Sequence, residues 1–454
     1  MRTYLLFFLG CLTLVACNSE PKVQGENTVA GSPDTARIDN HPGWIMQGNV
    51  YEVNLRQYTP EGTIRAFEQH LQRLKDMGVQ TLWFMPITPI SKTDRKGVLG
   101  SYYAVADYKG LNPEYGTMDD WKALVKKIHD MGMKVIIDWV PNHTGADHPW
   151  LTSHPDFYLK DSSGKVVVPF GWTDVRELDY DNAQMIDSMI ASMKFWITET
   201  GIDGFRCDVA GEVPQKFWAR AVPELKKIKN IFMLAEGNEP WLHETGFDAT
   251  YTWDAFNLMK LIAKGERPAS ALDSAINRVE TAFVPNALRL YVTSNHDENS
   301  WNKADYGTMP GEVHAPFAVL TQTAARSVPL VYSGQEEPFL DSLSFFYKDT
   351  ITWKSYARAP MYKTLLTLRK NNPALAANAP FRKLRTSNDN ALYAFERRQG
   401  NSKVLVILNL SSKPQQIAWT DQPSQAQWKN VFTGASEQPL NSLQPWGYAV
   451  YEVR

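Results

Sequence analysis

From residue 48 to about residue 335, short runs of consecutive apolar residues alternate with longer stretches in which apolar positions recur every three or four residues. Runs of the first kind mark strands buried on both faces. Stretches of the second kind mark helices with one apolar face. The strand-like runs are VYEVNLRQY (50–58), TLWFMP (81–86), KVIIDWVPN (134–142), GFRCDV (204–209), IFMLAE (231–236), ATYTWD (249–254), RLYVTSNHD (289–297) and VPLVYSG (328–334). Helical periodicity covers 63–78 and 119–132, each closed by a glycine, then 184–201, and 214–228 with an internal proline expected to kink it. Eight strands separated by helices predict an α/β fold, a parallel (β/α)8 TIM barrel, over residues 43–376. A doubly wound open sheet is the alternative, but no glycine-rich phosphate loop supports it.

Two segments break the alternation. Residues of about 144–180 are too many for a plain strand-to-helix loop and predict a short inserted subdomain after the third strand. Residues 377–454 carry only short strand patterns, ALYAFERR, KVLVILNLS, QQIAWT and GYAVYEV, and predict a C-terminal antiparallel β-sandwich.

The N-terminus reads differently. MRTYLLFFLGCLTLVAC has one arginine, an apolar run too short for a comfortable membrane span, and a small residue before Cys17. It resembles a bacterial lipoprotein signal over residues 1–16, with lipidation on Cys17; an ordinary signal peptide is the plainer reading. Residues 17–42 are polar and turn-rich and predict a flexible tether. The expected location is outside the cytoplasm, held to a bacterial membrane by the lipid alone, at the outer membrane or the periplasmic face.

Composition removes several classes. The 454 residues carry a net charge of −2, so no basic field argues for nucleic acid. Of the three cysteines, Cys11 and Cys17 fall in the leader, which leaves Cys207 and excludes a disulfide framework. Aromatic residues reach 12%, with 15 Trp, enough for a core and for some flat faces along a groove.

Barrel active sites sit at the C-terminal ends of strands. Here four strand ends carry polar side chains: Asp138 to His143, Arg206 with Asp208, Glu236, and His296 with Asp297. Singly, each can be structural: Asp138 can orient an arginine, His143 and His296 can be satisfied rim histidines, and Glu236 can cap a turn. Four on one rim are harder to dismiss in that way. Strand alternation turns Arg206 and Asp208 to one side and Phe205, Cys207 and Val209 to the other, which points the charged pair into the barrel. Two or three carboxylates without an evident metal cluster point to glycoside hydrolysis, in which one acid protonates the leaving oxygen and one carboxylate stands opposite. Arg206 beside Asp208 is expected to lower its pKa and keep it ionised as nucleophile. Glu236 follows an apolar strand with no cation near it in sequence, which assigns it as the acid, with Glu239 as competitor. Asp297 is left to hold the sugar or stabilise positive charge.

These residues resemble glycoside hydrolase family 13, the α-amylase family. DWVPNH (138–143), GFRCD (204–208), LAEG (234–237) and SNHD (294–297) are similar to its four conserved regions, in order, and SYYAVADY (101–108) to its tyrosine-platform segment. The resemblance covers roughly residues 44–454. It implies Asp208 as nucleophile, Glu236 as acid/base and Asp297 as transition-state stabiliser. It also implies that Arg206, His143 and His296 contact the reacting sugar and that Tyr103 stacks on it. The chemistry needs no cofactor. The resemblance admits a structural calcium, with Asn142 and Glu177 where the family places ligands. Many relatives carry Lys-His three and four residues after the nucleophile; here Gly211 and Glu212 stand there, and Val209 follows the nucleophile directly. The expected substrate is an α-glucan or maltooligosaccharide, cleaved mainly at α-1,4 bonds with retention. A transglycosylase or an α-1,6-acting, neopullulanase-like glucosidase is the second reading, and a non-catalytic starch-binding lipoprotein the third.

Overall fold

The computed structural model describes residues 35–303, 309–338 and 341–453. The leader, Cys17 and most of the tether lie outside the described residues. Among the described residues, no helix is long and apolar enough to cross a membrane.

Eight parallel strands close into a barrel. They are β1 (Val50–Val53), β2 (Thr81–Phe84), β3 (Lys134–Trp139), β4 (Gly204–Cys207), β5 (Phe232–Ala235), β6 (Ala249–Tyr251), β7 (Leu288–Tyr291) and β8 (Ser327–Tyr332). All eight lie within the runs read as strands or extend them by one residue. Closure is by β8 on β1, with Tyr332 opposite Glu52. Alternation divides the side chains as expected. Val50, Trp83, Ile136 and Leu234 share one apolar cluster, whereas Tyr51, Leu82, Phe205 and Cys207 share another with the surrounding helices. The strands are buried at every position except Lys134, so both clusters draw on the same strands' removal from water. At Gly204 (φ 150°) a Cβ would stand 1.9 Å from the Phe232 carbonyl oxygen. The close approach of β4 to β5 therefore requires glycine.

The helices differ from the sequence reading in three places. Residues 63–78 form two helices, Ile64–Glu68 and Leu71–Met77, the second closed by left-handed Gly78. The helix Gln215–Lys226 runs through Pro223. The sixth and seventh strands stop early, at Tyr251 and Tyr291, and helices Trp253–Ala263 and His296–Asn302 take over the polar ends of both motifs.

The excursion after β3 is pinned by the ribbon His143–Gly145 against Val175–Glu177. Beyond the barrel, strands β9 (Phe381–Leu384), β10 (Leu392–Gln399), β11 (Ser402–Asn409), β12 (Lys429–Asn430) and β13 (Tyr448–Val453) form an antiparallel sheet. One face, with Leu392, Leu405 and Tyr451, packs on Ile417, Trp428 and Leu443 of the second layer. The other, with Tyr393, Phe395 and Val406, packs on the barrel. The architecture is a (β/α)8 barrel with a C-terminal β-sandwich.

One boundary needs correction. The tether does not extend to residue 42. Arg37–Ile38 pairs with His41–Pro42, and buried His41 bonds Asp248 at 2.8 Å and the Asn286 carbonyl at 2.7 Å. A histidine with two buried partners anchors this segment to the barrel floor, which its polar composition does not reveal.

Candidate active site

The barrel interior is apolar up to the level of Arg206, where four strands contribute polar groups. Register places Asp138 of β3 beside Arg206 of β4. Asp208 and Glu236 each follow the last residue of a strand, so their side chains rise into the mouth. Arg206 is fully buried. Its Nη1 lies 3.0 Å from Asp138 Oδ1 and 3.0 Å from Asp208 Oδ1, its Nη2 2.9 Å from Glu236 Oε1, and its Nε donates to Tyr251 at 3.2 Å. One planar fork thus holds three carboxylates, which a lysine could not do.

This arrangement corrects the electrostatic part of the sequence reading. Arg206 is not the private partner of Asp208, and Glu236 does have a cation beside it. Burial first, and then the charge of Glu236, push the Asp208 carboxyl well above the usual range against the pull of Arg206. Burial likewise raises Asp138, to about 6. One oxygen of Glu236 forms an ion pair with Arg206, and the other accepts a hydrogen bond, at 2.7 Å, from the Val209 amide. That amide points at Glu236 because Val209 is held at φ 36°, an unfavourable conformation for a β-branched residue.

The third carboxylate, Asp297, sits in the first turn of helix His296–Asn302, which is capped by the Asn295 side chain. His296 is buried and bridges three groups. Its Nδ1 is 2.5 Å from Glu52 Oε1, and its Nε2 is 2.7 Å from the Tyr103 hydroxyl and 3.2 Å from Asp297 Oδ2. Burial alone would lower its pKa. The charges of Asp297 and Glu52 outweigh burial and hold it well above 6.5, so it stands as an imidazolium. Burial would raise Asp297, but His296 and Arg206 hold it below the usual carboxylate range.

Tyr103 stacks on His296 (26° between rings) and its hydroxyl donates to Asp138 at 3.2 Å. His143 accepts at Nδ1 from the Asn142 amide at 3.3 Å, which leaves the proton on Nε2. That Nε2 is buried and has no partner in the protein. Burial lowers the His143 pKa to about 4 and keeps the ring neutral. These groups open onto a cavity of about 570 Å³, walled on one side by Trp172 and on another by Trp301, Phe345 and Phe346. A depression of about 680 Å³ at the strand N-termini has Asp39, Glu280 and Arg326 as its only charged lining and offers no comparable chemistry.

All seven sequence-predicted side chains, Asp208, Glu236, Asp297, Arg206, His143, His296 and Tyr103, are therefore brought to one mouth. Glu239 is not. Its carboxylate is turned back to the Asn238 amide, 2.8 Å from where a Cβ on Gly211 would be. Sequence reasoning missed Glu52, which supports His296 from β1, and the aromatic walls. The signal for Glu52 was present: it lies on the inward face of a strand that is otherwise apolar there. Cys17 lies outside the described residues. At the admitted calcium position, Asn142 points its side-chain NH2 at His143 and its backbone carbonyl accepts from the Leu178 amide, while Glu177 is a half-buried carboxyl raised by burial and by Glu212. Among the described residues no group of three His, Cys, Asp or Glu side chains converges to hold a metal.

A (β/α)8 barrel with an acid pair on one buried arginine, a third acid on a histidine and a ligand-sized aromatic cleft is the framework of a glycoside hydrolase. The family model for the alpha amylase catalytic domain matches residues 31–165 and 156–374, and the model for the alpha-amylase SusG C-terminal domain matches 392–446. The chain belongs to the alpha-amylase family. An alpha-amylase from Lactobacillus plantarum is similar in structure, with a TM-score of 0.82 and 27% identity over 90% of this chain and all of that one. Alpha-amylase MalA of Haloarcula japonica is 26% identical over 86% of this chain, which spans 59% of that relative's length. Oligo-1,6-glucosidase of Parageobacillus thermoglucosidasius is 27% identical over 40% of this chain and 37% of its own.

Proposed function

We propose that the protein is a retaining glycoside hydrolase that cleaves α-glucosidic bonds, mainly α-1,4, in starch, glycogen or maltooligosaccharides. The observation that carries the reading is the acid pair, Asp208 and Glu236, on the two terminal nitrogens of Arg206 at the barrel mouth.

The steps follow from that geometry. A glucosyl unit lies against Tyr103, with a hydroxyl on the unpartnered His143 Nε2. Glu236, as the acid, carries the proton the reaction donates and turns one oxygen from the Val209 amide to the glycosidic oxygen. Asp208 attacks the anomeric carbon. The glycosidic C–O bond breaks and the leaving oxygen takes the Glu236 proton. Asp297, ionised beside His296, stabilises positive charge on the ring. Glu236, now a base, takes a proton from water as the water's oxygen displaces Asp208, and the configuration is retained. The expected test is Glu236→Gln: loss of maltoheptaose hydrolysis with an unchanged circular dichroism spectrum. A fully active variant would sink the assignment.

A second reading, transfer or α-1,6 cleavage, is favoured by Val209 and by Gly211 and Glu212 in place of Lys-His. Product chromatography on maltoheptaose and panose separates the two. The same proposal places the enzyme outside the cytoplasm on a lipid carried by Cys17, on sequence grounds. Radiolabelled palmitate incorporated by wild type and not by Cys17→Ser is the expected result; label in both would overturn it.

A further inference from the structure

Residues 92–100 follow the C-terminal side of β2 and border the cleft, with Lys96 in its lining. At one end they are fastened to the inserted subdomain. Asp94 meets Arg176 Nη2 at 2.7 Å, Lys96 Nζ meets Asp174 Oδ1 at 3.0 Å, and Asp147 accepts the Lys92 and Thr93 amides at 2.7 and 3.1 Å. At the other end they are fastened to the segment that follows β8. The Leu99 amide donates to the Phe346 carbonyl at 3.0 Å, and Arg56 donates to the carbonyls of Leu99, Gly100 and Phe345. Gly97 (φ 63°) presses so close that a Cβ would stand 2.5 Å from Phe346 Cβ. The segment is thus a strap from the β3 side to the β8 side. Lys96, Asp174 and Phe346 all face the cavity it borders.

The side on which the strap lies decides what it does. The acid Glu236 follows β5, and the leaving part of the substrate must lie beside the acid. In the closed strand order, β1 and β2 stand across the barrel from β5 and β6. The strap occupies that opposite sector and runs directly into Tyr103. It therefore stands where a chain would continue beyond the sugar retained on Asp208.

We propose that the 92–100 strap, locked by Lys96–Asp174 and Asp94–Arg176, closes the glycon end of the cleft and makes the enzyme act on the non-reducing ends of glucan chains, releasing short units instead of cutting internally. Asp174 is buried, so the Lys96 pair is anchored on a fixed partner and not on a mobile surface acid. This inference rests on the hydrolase reading above and specifies its mode.

The test compares nitrophenyl maltoheptaoside with the same compound blocked at its non-reducing end. Wild type is expected to cleave the free substrate and leave the blocked one intact, and on amylose to release one short product from the first moments while iodine colour persists. The double variant Lys96→Ala/Arg176→Ala, which removes two partly exposed ion pairs, is expected to begin cleaving the blocked substrate, so that the blocked-to-free rate ratio rises from zero to a measurable value. A loss of fold or of general efficiency lowers both rates and leaves the ratio unmoved. An unmoved ratio in a folded variant overturns the proposal, as does wild-type cleavage of the blocked substrate. Should the double variant not fold, Asp94→Asn gives the same readout. Absence of cleavage of every α-glucan is a different failure, that of the hydrolase reading itself.

Discussion

Glu52→Gln isolates one charge beneath the site. Glu52 is fully buried on β1, one oxygen receives the His296 Nδ1 proton at 2.5 Å, and its other oxygen has no partner in the protein. Glutamine keeps the shape and can still accept that proton. What disappears is the charge. A hydrogen bond to a charged group contributes about 1.5–3 kcal/mol, against about 1 for a neutral one. If that difference, about 0.5–2 kcal/mol, is realised in the transition state through His296 and Asp297, kcat/KM falls about 2- to 30-fold.

The sign of the pH effect is fixed by His296. Its pKa is raised above 6.5, so its contribution to stability is complete below about pH 6.5 and is lost as pH rises through the raised value. Glu52→Gln weakens the raising interaction. The variant's stability deficit is therefore largest at acid pH and shrinks at alkaline pH, and the basic limb of its activity moves to lower pH. Urea unfolding at pH 5.5 and pH 9, with a kcat/KM profile over the same range on maltoheptaose, reads both. An equal deficit at the two pH values, together with kcat/KM within twofold of wild type and an unmoved basic limb, would refute the reasoning.

Arg206→Met leaves Asp138, Asp208 and Glu236 buried without their cation, and is expected to cost about 3–5 kcal/mol of stability, the usual penalty for breaking a buried pair; because protonation relieves the repulsion, the loss should be smaller at pH 5 than at pH 8 in chemical denaturation. His143 and His148 are both lowered by burial to about 4. The unfolded chain takes up protons below about pH 6.5 while the native one does not, so stability falls from pH 6.5 to 4 by up to about 3 kcal/mol for each; His148→Gln should flatten that part of the stability profile. Trp172→Ala removes one aromatic wall and is expected to raise KM for maltoheptaose about fivefold with kcat nearly unchanged, the pattern of lost uniform binding; a fall in kcat with KM fixed would place Trp172 at the reacting centre instead.

The barrel was legible because its strands are buried on both faces, and a series of continuous apolar runs set between helical periods fits few folds besides a parallel sheet. The helix His314–Thr323 was not legible for the converse reason. Nearly all of it is buried, so it shows no polar face and no period. Asp138, Arg206, Asp208 and Glu236 were legible as polar residues where a core strand ends. His296 and Asp297 were placed correctly at the mouth but on the wrong element, since the chain turns into a helix at His296 and the apolar run before it gives no stop signal. Glu52 was visible as an inward-facing acid on an apolar strand, but its role was not, because its partner His296 lies 244 residues away.

Arg206 shows what spacing can and cannot supply. Two residues apart on one strand guarantees that Arg206 and Asp208 face the same way, and that much follows from the backbone. It does not say how many acids share the cation. Register does: β3 sets Asp138 level with Arg206, and β5 ends just beyond Leu234, its neighbour on the other side. Three strands thus deliver three carboxylates to one guanidinium, and its charge is divided. An arginine shared in this way cannot keep every partner ionised. Burial and the charge of Glu236 raise Asp208 against its pull, so the three acids act as one electrostatic unit. The local pair seen in the sequence is the visible part of a site whose function depends on the two neighbours it does not show.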